Sequence, residues 1–292
     1  MTELAYIGPS ELKSLLEKHG LRLHKRWGQH FLIDRHILEK IIRTVNPCPD
    51  DSVMEVGAGA GALTAPLAQG AGRVVAVEVD RGLEPVLREV LARFAVLNRT
   101  CLVIQDALKL DWDRLLGGHG WVFAANLPYN ISTPILERIL TSGLFRRAVV
   151  MLQKDVGMRL TAQPGTRDYS SLTLFARYHG RVSLAFEVPR GAFFPRPQVE
   201  SAVVTIDLEE GPTVKVSDRQ LMFDLIRTAF GYRRKQLPNA LERSEQLRDL
   251  GVAKDRIRQV IDSFGWGMVR GEDLSLEDFQ KLTEEIVRLR GV

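Results

Sequence analysis

A chain of 292 residues, 45% hydrophobic and 26% charged, is long enough to bury one large core or two smaller ones, which excludes a disulfide-stapled miniprotein and a disordered tail. Forty Lys and Arg against 36 Asp and Glu leave a net charge of +4, a mild bias toward polyanions that decides nothing until its distribution is known. Two cysteines, Cys48 and Cys101, lack CxxC spacing and the six histidines form no HxxxH pair, so neither a disulfide nor a bound metal is expected and both thiols are expected to fill core space.

No apolar run approaches the roughly 18 residues of a membrane span, and the segment from Met1 to Tyr6 lacks the pattern of a signal peptide. The expectation is a soluble, cytoplasmic protein without a membrane partner. Ser10 is placed to cap a helix that carries Leu12, Leu15 and Leu16 on one face and stops at Gly20. A basic arm follows, Leu21 to Asp34, in which Arg22, Lys25 and Arg26 mix with Trp27 and Phe31. Helical spacing then resumes through Ile37, Leu38, Ile41 and Ile42.

From Ser52 the period changes. Short β-branched runs at Val53–Val56, Val74–Val79, Cys101–Ile104, Trp121–Ala125 and Ala148–Leu152 alternate with helical patterns. That alternation predicts a parallel sheet covered on both faces, a Rossmann-like, doubly wound α/β fold. Two later runs, Ala185–Val188 and Ser201–Leu208, lack long intervening helices and are expected to pair antiparallel at the far edge. Asp207 to Pro212 reads as a linker. Beyond it the apolar spacing of Leu221, Leu225 and Ile226, of Ile257, Val260 and Ile261, and of Phe279, Leu282 and Ile286 predicts a small all-α domain. The expected division is 1–208 for the α/β domain with its arm and 213–292 for the helical domain.

The first strand runs directly into Gly57-Ala-Gly59-Ala-Gly61, a turn in which glycine lets backbone approach a ligand. Glu78, ending the next strand, is placed to accept hydrogen bonds from a ribose diol. NAD enzymes, other nucleotide binders and S-adenosylmethionine enzymes share this arrangement, and some such turns are purely structural. The close glycine spacing favours the methyl donor over a dinucleotide. Asp106 ends the third strand, either as acceptor for an adenine amino group or as a helix cap. Three polar features at the same ends of three successive strands define one crevice.

After the fourth strand comes Asn126-Leu127-Pro128-Tyr129. Methylating an exocyclic aromatic amine requires freeing a nitrogen lone pair that is delocalised into the ring. The Asn side-chain oxygen and the following backbone carbonyl, that of Leu127, suit this by taking the two amino hydrogens and turning the lone pair toward the methyl group. Pro128 fixes φ and removes a competing donor. Tyr129 offers its π face to the base and to the positive charge that develops on the amine. A strand-ending turn alone would also use Asn and Pro, but here it follows a glycine turn and two strand-end acids.

With these motifs in place, the chain resembles the KsgA-type ribosomal RNA small-subunit adenine dimethyltransferases over essentially its whole length. The carriers are the arm HKRWGQHFLID, Asn126 to Tyr129, Gln153-Lys154-Asp155, and Phe193-Phe-Pro-Arg-Pro-Gln-Val-Glu-Ser201. The resemblance implies a class I S-adenosylmethionine-dependent methyltransferase sheet with a small all-α C-terminal domain. It implies donor contacts at His30, Leu32, Gly57, Gly59, Glu78, Asp106 and Asn126, and packing of an aromatic of the Phe193-Phe194 pair against the target base. The implied targets are two adjacent adenines in a hairpin loop near the 3′ end of small-subunit rRNA, methylated on an immature subunit by a monomer. His30 stands where that family commonly has Asn, Ala58 where Pro is frequent, and Gly271 where Ala or Pro is usual.

RNA is also suggested by charge. Arg227, Arg233, Arg234 and Lys235 cluster around Phe230 and Tyr232 without an acid, a pattern suited to phosphates, although such clusters often form a solvated helix face. Together with Arg22, Lys25 and Arg26 they would flank the crevice. The rival readings are a large-subunit rRNA methylase of the macrolide-resistance type, a non-catalytic RNA-binding assembly or transcription factor, and a dehydrogenase.

Overall fold

The computed structural model describes residues 3–21, 29–208, 211–249 and 251–289. Among the described residues nine strands are present: β1 (Phe31–Leu32), β2 (Ser52–Val56), β3 (Arg73–Glu78), β4 (Thr100–Ile104), β5 (Trp121–Asn126), β6 (Phe145–Gln153), β7 (Arg181–Val188), β8 (Phe193–Phe194) and β9 (Ser201–Asp207). Seven form one sheet in the order β4-β3-β2-β5-β6-β9-β7. The β4, β3, β2, β5 and β6 pairings are parallel, and β9 runs antiparallel to β6. The two late runs thus lie at the far edge, as expected from their lack of crossover helices.

The inner parallel strands are mostly apolar because both of their faces are covered, the buried acids Glu55 and Glu78 at their carboxyl ends excepted. Val53, Met54, Val74, Val75, Ala76, Phe123 and Ala124 have no exposed surface. Strand order reverses between β2 and β5, so their carboxyl ends diverge and leave the crevice in which α/β sheets bind ligands.

Several local expectations are corrected. The first helix is Pro9–Lys18, with Gly8 as its N-cap and no side-chain cap bond; Pro9, not Ser10, begins it, because proline's fixed φ and missing N–H suit the first turn. Gly20 does take φ +65° just past its end. Asp34 caps the helix Arg35–Val45 by accepting from the Ile37 N–H at 3.0 Å. Both cysteines are exposed rather than buried, Cys48 in the loop before β2 and Cys101 on β4, which is an edge strand with half-open faces.

The chain divides into two units, Met1–Gly157 with Val182–Glu209, and Met158–Arg181 with Glu210–Val292. The expected boundary near 208 is therefore incomplete, since 158–181 joins the helical unit. The reason is apolar: Tyr169, Leu174 and Tyr178 pack with Leu221, Leu225, Phe279 and Leu282 in one core, and the Tyr169 hydroxyl donates to the Leu274 carbonyl at 2.8 Å. None of the described helices is long and apolar enough to cross a membrane.

Candidate active site at the carboxyl ends of the strands

A cavity of about 290 Å³ opens where β2 and β5 diverge, and it is lined by His30, Leu32, Gly57, Gly59, Glu78, Asp106, Asn126 and Tyr129 among others. The structure thus brings together in one cavity every donor contact implied by the resemblance.

The glycine turn is built for close approach. Gly57, Gly59 and Gly61 adopt φ of +82°, +57° and +85°, a region that side chains disfavour. A Cβ on Gly57 would lie 3.1 Å from the Pro128 ring, and one on Gly59 would lie 3.2 Å from the Phe31 ring. Phe31 reaches that seat because β1 pairs antiparallel with β8, setting Phe31 opposite Phe194 and Leu32 opposite Phe193.

Glu78 is nearly buried. One carboxylate oxygen accepts from the Gly59 N–H at 2.8 Å, the other from the Val79 and Asp80 N–H groups, both at 2.9 Å. Burial pushes its carboxyl up, against the pull of those amides. Asp106 caps no helix, since Asp111 caps the next one, Trp112–Leu116; one of its oxygens accepts from the Leu108 N–H at 3.0 Å in a local turn, and the residue lines the cavity.

Glu55 was not among the expected site residues, although it directly precedes the glycine turn. It is fully buried against the cavity, and its Oε2 has no hydrogen-bond partner among the described residues. Burial, aided by the neighbouring Glu78 charge, pushes its carboxyl up to about 8 from an ordinary 4.5. Between those values the folded chain holds a proton that the unfolded chain has released. This contribution to stability is complete below about pH 4.5 and is lost as pH rises through about 8, at no more than roughly 1.4 kcal/mol per pH unit. Glu55→Gln, which never ionises, should flatten that slope, and denaturant midpoints measured from about pH 5 to about pH 9 check it.

Asn126 closes β5. Its Nδ2 donates to the His30 carbonyl at 3.0 Å. A carbonyl only accepts, so the amide's orientation is set and Oδ1 remains available as an acceptor. Leu127 is buried, its N–H donating to the Met151 carbonyl at 2.9 Å; its side chain belongs to the core and only its own carbonyl is left for a ligand. Tyr129 is half-buried, with its ring 5.7 Å from that of His30 and its hydroxyl 2.8 Å from the Ser201 Oγ. His30 Nδ1 lies 2.7 Å from the Pro195 carbonyl, so that nitrogen carries the hydrogen.

Two substrate assignments need correction. Phe193 is buried at 3% exposure, whereas Phe194 is 42% exposed. The alternation of a paired strand sends one ring into the core and the other outward, so only Phe194 is free to meet a base. Arg233 is occupied within the helical unit. It forms an ion pair with Glu272 and donates to the Thr166 and Arg167 carbonyls at 3.1 and 2.8 Å, which makes it a brace for the 158–181 segment. Arg227 lies 3.9 Å from Asp224 but is mostly exposed. Arg234 and Lys235 are exposed, with no ion pair among the described residues. Arg22, Lys25 and Arg26 lie outside the described residues.

A family model for ribosomal RNA adenine dimethylases matches residues 20–262. The chain belongs to this family. It is accordingly a methyltransferase, with the expected class of sheet and helical C-terminal region. A relative from Geobacter metallireducens named ribosomal RNA small subunit methyltransferase A is 43% identical, covering 93% of this chain and 98% of its own. Another of that name from Pelotomaculum thermopropionicum is 40% identical over 97% and 98%. Among solved structures, a dimethyladenosine transferase from Plasmodium falciparum aligns with a TM-score of 0.78 and 27% identity, covering 90% of this chain and 99% of that one. The 23S rRNA methyltransferase ErmE aligns at 0.69 and 24% identity, over 88% and 99%, which is a likeness of fold.

Proposed function

We propose that this family member transfers methyl groups from S-adenosylmethionine to the exocyclic amines of two adjacent adenines in a hairpin loop near the 3′ end of small-subunit rRNA, acting on immature subunits during ribosome biogenesis. The carrying observation is the Asn126 amide, whose nitrogen is committed to the His30 carbonyl and whose oxygen is thereby left to grip an amino group.

The residues present fit the methyl donor. Glu78 accepts three backbone N–H groups and keeps one lone pair, on Oε2, for a ribose hydroxyl, Asp106 has lone pairs for an adenine amine, the unpartnered Glu55 oxygen adds a polar group in the wall, and the glycine turn keeps side chains out of the cavity. S-adenosylmethionine, when bound, supplies an activated methyl group. Asn126 Oδ1 and the Leu127 carbonyl accept the two amino hydrogens, so the nitrogen lone pair leaves the ring system and points at the methyl carbon. Transfer would form the nitrogen–carbon bond as the donor's carbon–sulfur bond breaks, and the alkylated amine, then acidic, would release its proton to water. Tyr129 and Phe194 hold the flipped base by its faces. After the first transfer one amino hydrogen remains, and the second transfer proceeds with a single grip. The large-subunit alternative shares the fold; the small-subunit name borne by both bacterial relatives favours a small-subunit target.

The deciding experiment supplies isotopically labelled methyl donor to purified immature small subunits and to large subunits, then maps products by mass spectrometry of the RNA. Dimethyladenosine at two adjacent positions near the small-subunit 3′ end is expected. Label confined to large-subunit RNA, or none with either particle, overturns the proposal. Arg234→Ala should weaken particle binding and lower the slope of log affinity against log salt by about one phosphate contact; an unchanged slope removes Arg234 from the RNA surface.

A further inference from the structure

The Tyr129 hydroxyl performs no task in stacking, because a phenyl ring offers a base the same apolar face. It is nevertheless held by one specific partner, the Ser201 Oγ at 2.8 Å. Ser201 has no exposed surface and opens β9, paired with Gln153 of β6. The strand start around it is fixed twice over. The Lys154 N–H donates to the Glu200 carbonyl at 2.9 Å, and the Lys154 ammonium bridges the Glu187 and Glu200 carboxylates at 2.7 and 2.9 Å.

Tyr129 itself sits on the turn after β5, half-exposed at the cavity, with the tilted His30 ring 5.7 Å from its own and Ser201 as the hydrogen-bond partner of its hydroxyl. We infer that Ser201 is a positioning residue for methyl transfer, which tethers the far end of the Tyr129 ring to the sheet so that the ring face is already set when a base arrives. This rests on the proposed role of Tyr129 as the surface that meets the base. A pre-set ring spares the complex the cost of ordering it, and small misplacements at a reacting centre are expensive in rate. The hydrogen bond also explains why the motif Phe193 to Ser201 ends in a hydroxyl. It joins the segment that follows Phe194 of β8 to the turn that carries Tyr129.

The test is a double-mutant cycle with Ser201→Ala, Tyr129→Phe and the pair, measured by single-turnover methyl transfer to immature small subunits, calorimetric S-adenosylmethionine affinity and thermal midpoint. Each single change should lower the transfer rate roughly tenfold, leave donor affinity within about twofold, and show no further loss when combined, because either one already removes the tether. Ser201→Thr, which keeps a hydroxyl on a residue suited to strands, should retain the rate. Losses that multiply in the pair, or a Tyr129→Phe rate equal to the original, overturn the inference. If Ser201→Ala does not fold, the contrast between a slow Tyr129→Phe and a normal Ser201→Thr decides in its place. Tyr129→Ala separates the two levels: undiminished transfer by that variant would overturn the role of Tyr129 itself, whereas strong loss there with a full-rate Tyr129→Phe would overturn only the tether.

Discussion

Asn126→Ala is expected to lower the single-turnover rate of methyl transfer by roughly 10²–10³-fold, the range seen when one preorganised polar group facing developing charge is removed. Two effects combine. The Oδ1 acceptor is lost, so the adenine amine keeps its lone pair in the ring, and the His30 carbonyl loses the donor that held it at 3.0 Å. Asn126→Asp separates them. It retains an acceptor but sets a carboxylate oxygen against the His30 carbonyl, a repulsive pair in place of a hydrogen bond, so it should be nearly as slow. Donor affinity should change far less than rate in both, since the proposed donor contacts of Glu78 and Asp106 are left in place. Rapid-quench transfer assays with calorimetric binding make the comparison. A transfer rate for Asn126→Ala within a fewfold of the original would remove the amide from the mechanism.

Glu78→Ala should be the most damaging change to donor binding and should also destabilise the fold. Three backbone N–H groups, those of Gly59, Val79 and Asp80, depend on its two oxygens. A buried donor without an acceptor costs about 1–3 kcal/mol; water entering the cavity offsets part of this, leaving an expected net loss of about 2–4 kcal/mol. The same deletion removes the acceptor proposed for a ribose hydroxyl. A charge-assisted hydrogen bond contributes about 1.5–3 kcal/mol, so donor affinity should fall roughly 10–100-fold. Glu78→Gln is the informative control, because its single acceptor oxygen can serve one side of the turn while its amide hydrogens oppose the other. Denaturant midpoints and calorimetry read both effects. Unchanged stability in Glu78→Ala would show that the three amides find other partners.

What the sequence revealed of the fold, and what it did not, follows from the range of the interactions. Strands β2, β3, β5 and β6 were legible because two covered faces demand an unbroken apolar run. Strand β4 was legible as a strand but not as an edge, and Cys101 was misplaced for that reason. Strands β1 and β8 are two residues each and exist only through each other, so no local period announces them; without that pairing Phe193 and Phe194 look interchangeable. Arg233 read as a free cation because its partner, Glu272, is 39 positions away in the chain. Within the cavity, Gly57, Glu78, Asp106 and Asn126 could be found because each ends a strand or follows its end within two residues, a position that sequence can count. Glu55 acts through burial, which leaves no pattern in composition or spacing, and Ser201 was visible as the end of the Phe193–Ser201 motif while its partner Tyr129, 72 positions away, was not.

The helical unit is assembled from two pieces of chain separated by the last strands of the sheet. During translation, which releases the amino-terminal part first, the segment 158–181 leaves the ribosome well before the residues that cover it. The Tyr169 hydroxyl meets its acceptor only 105 positions later, and Leu174 and Tyr178 wait as long for Phe279 and Leu282. Nascent chains must therefore shelter an aromatic patch until the helix carrying Phe223 and Phe230, which meet Tyr178 and Tyr169, has been made, and a product cut off at 208 would carry that patch uncovered.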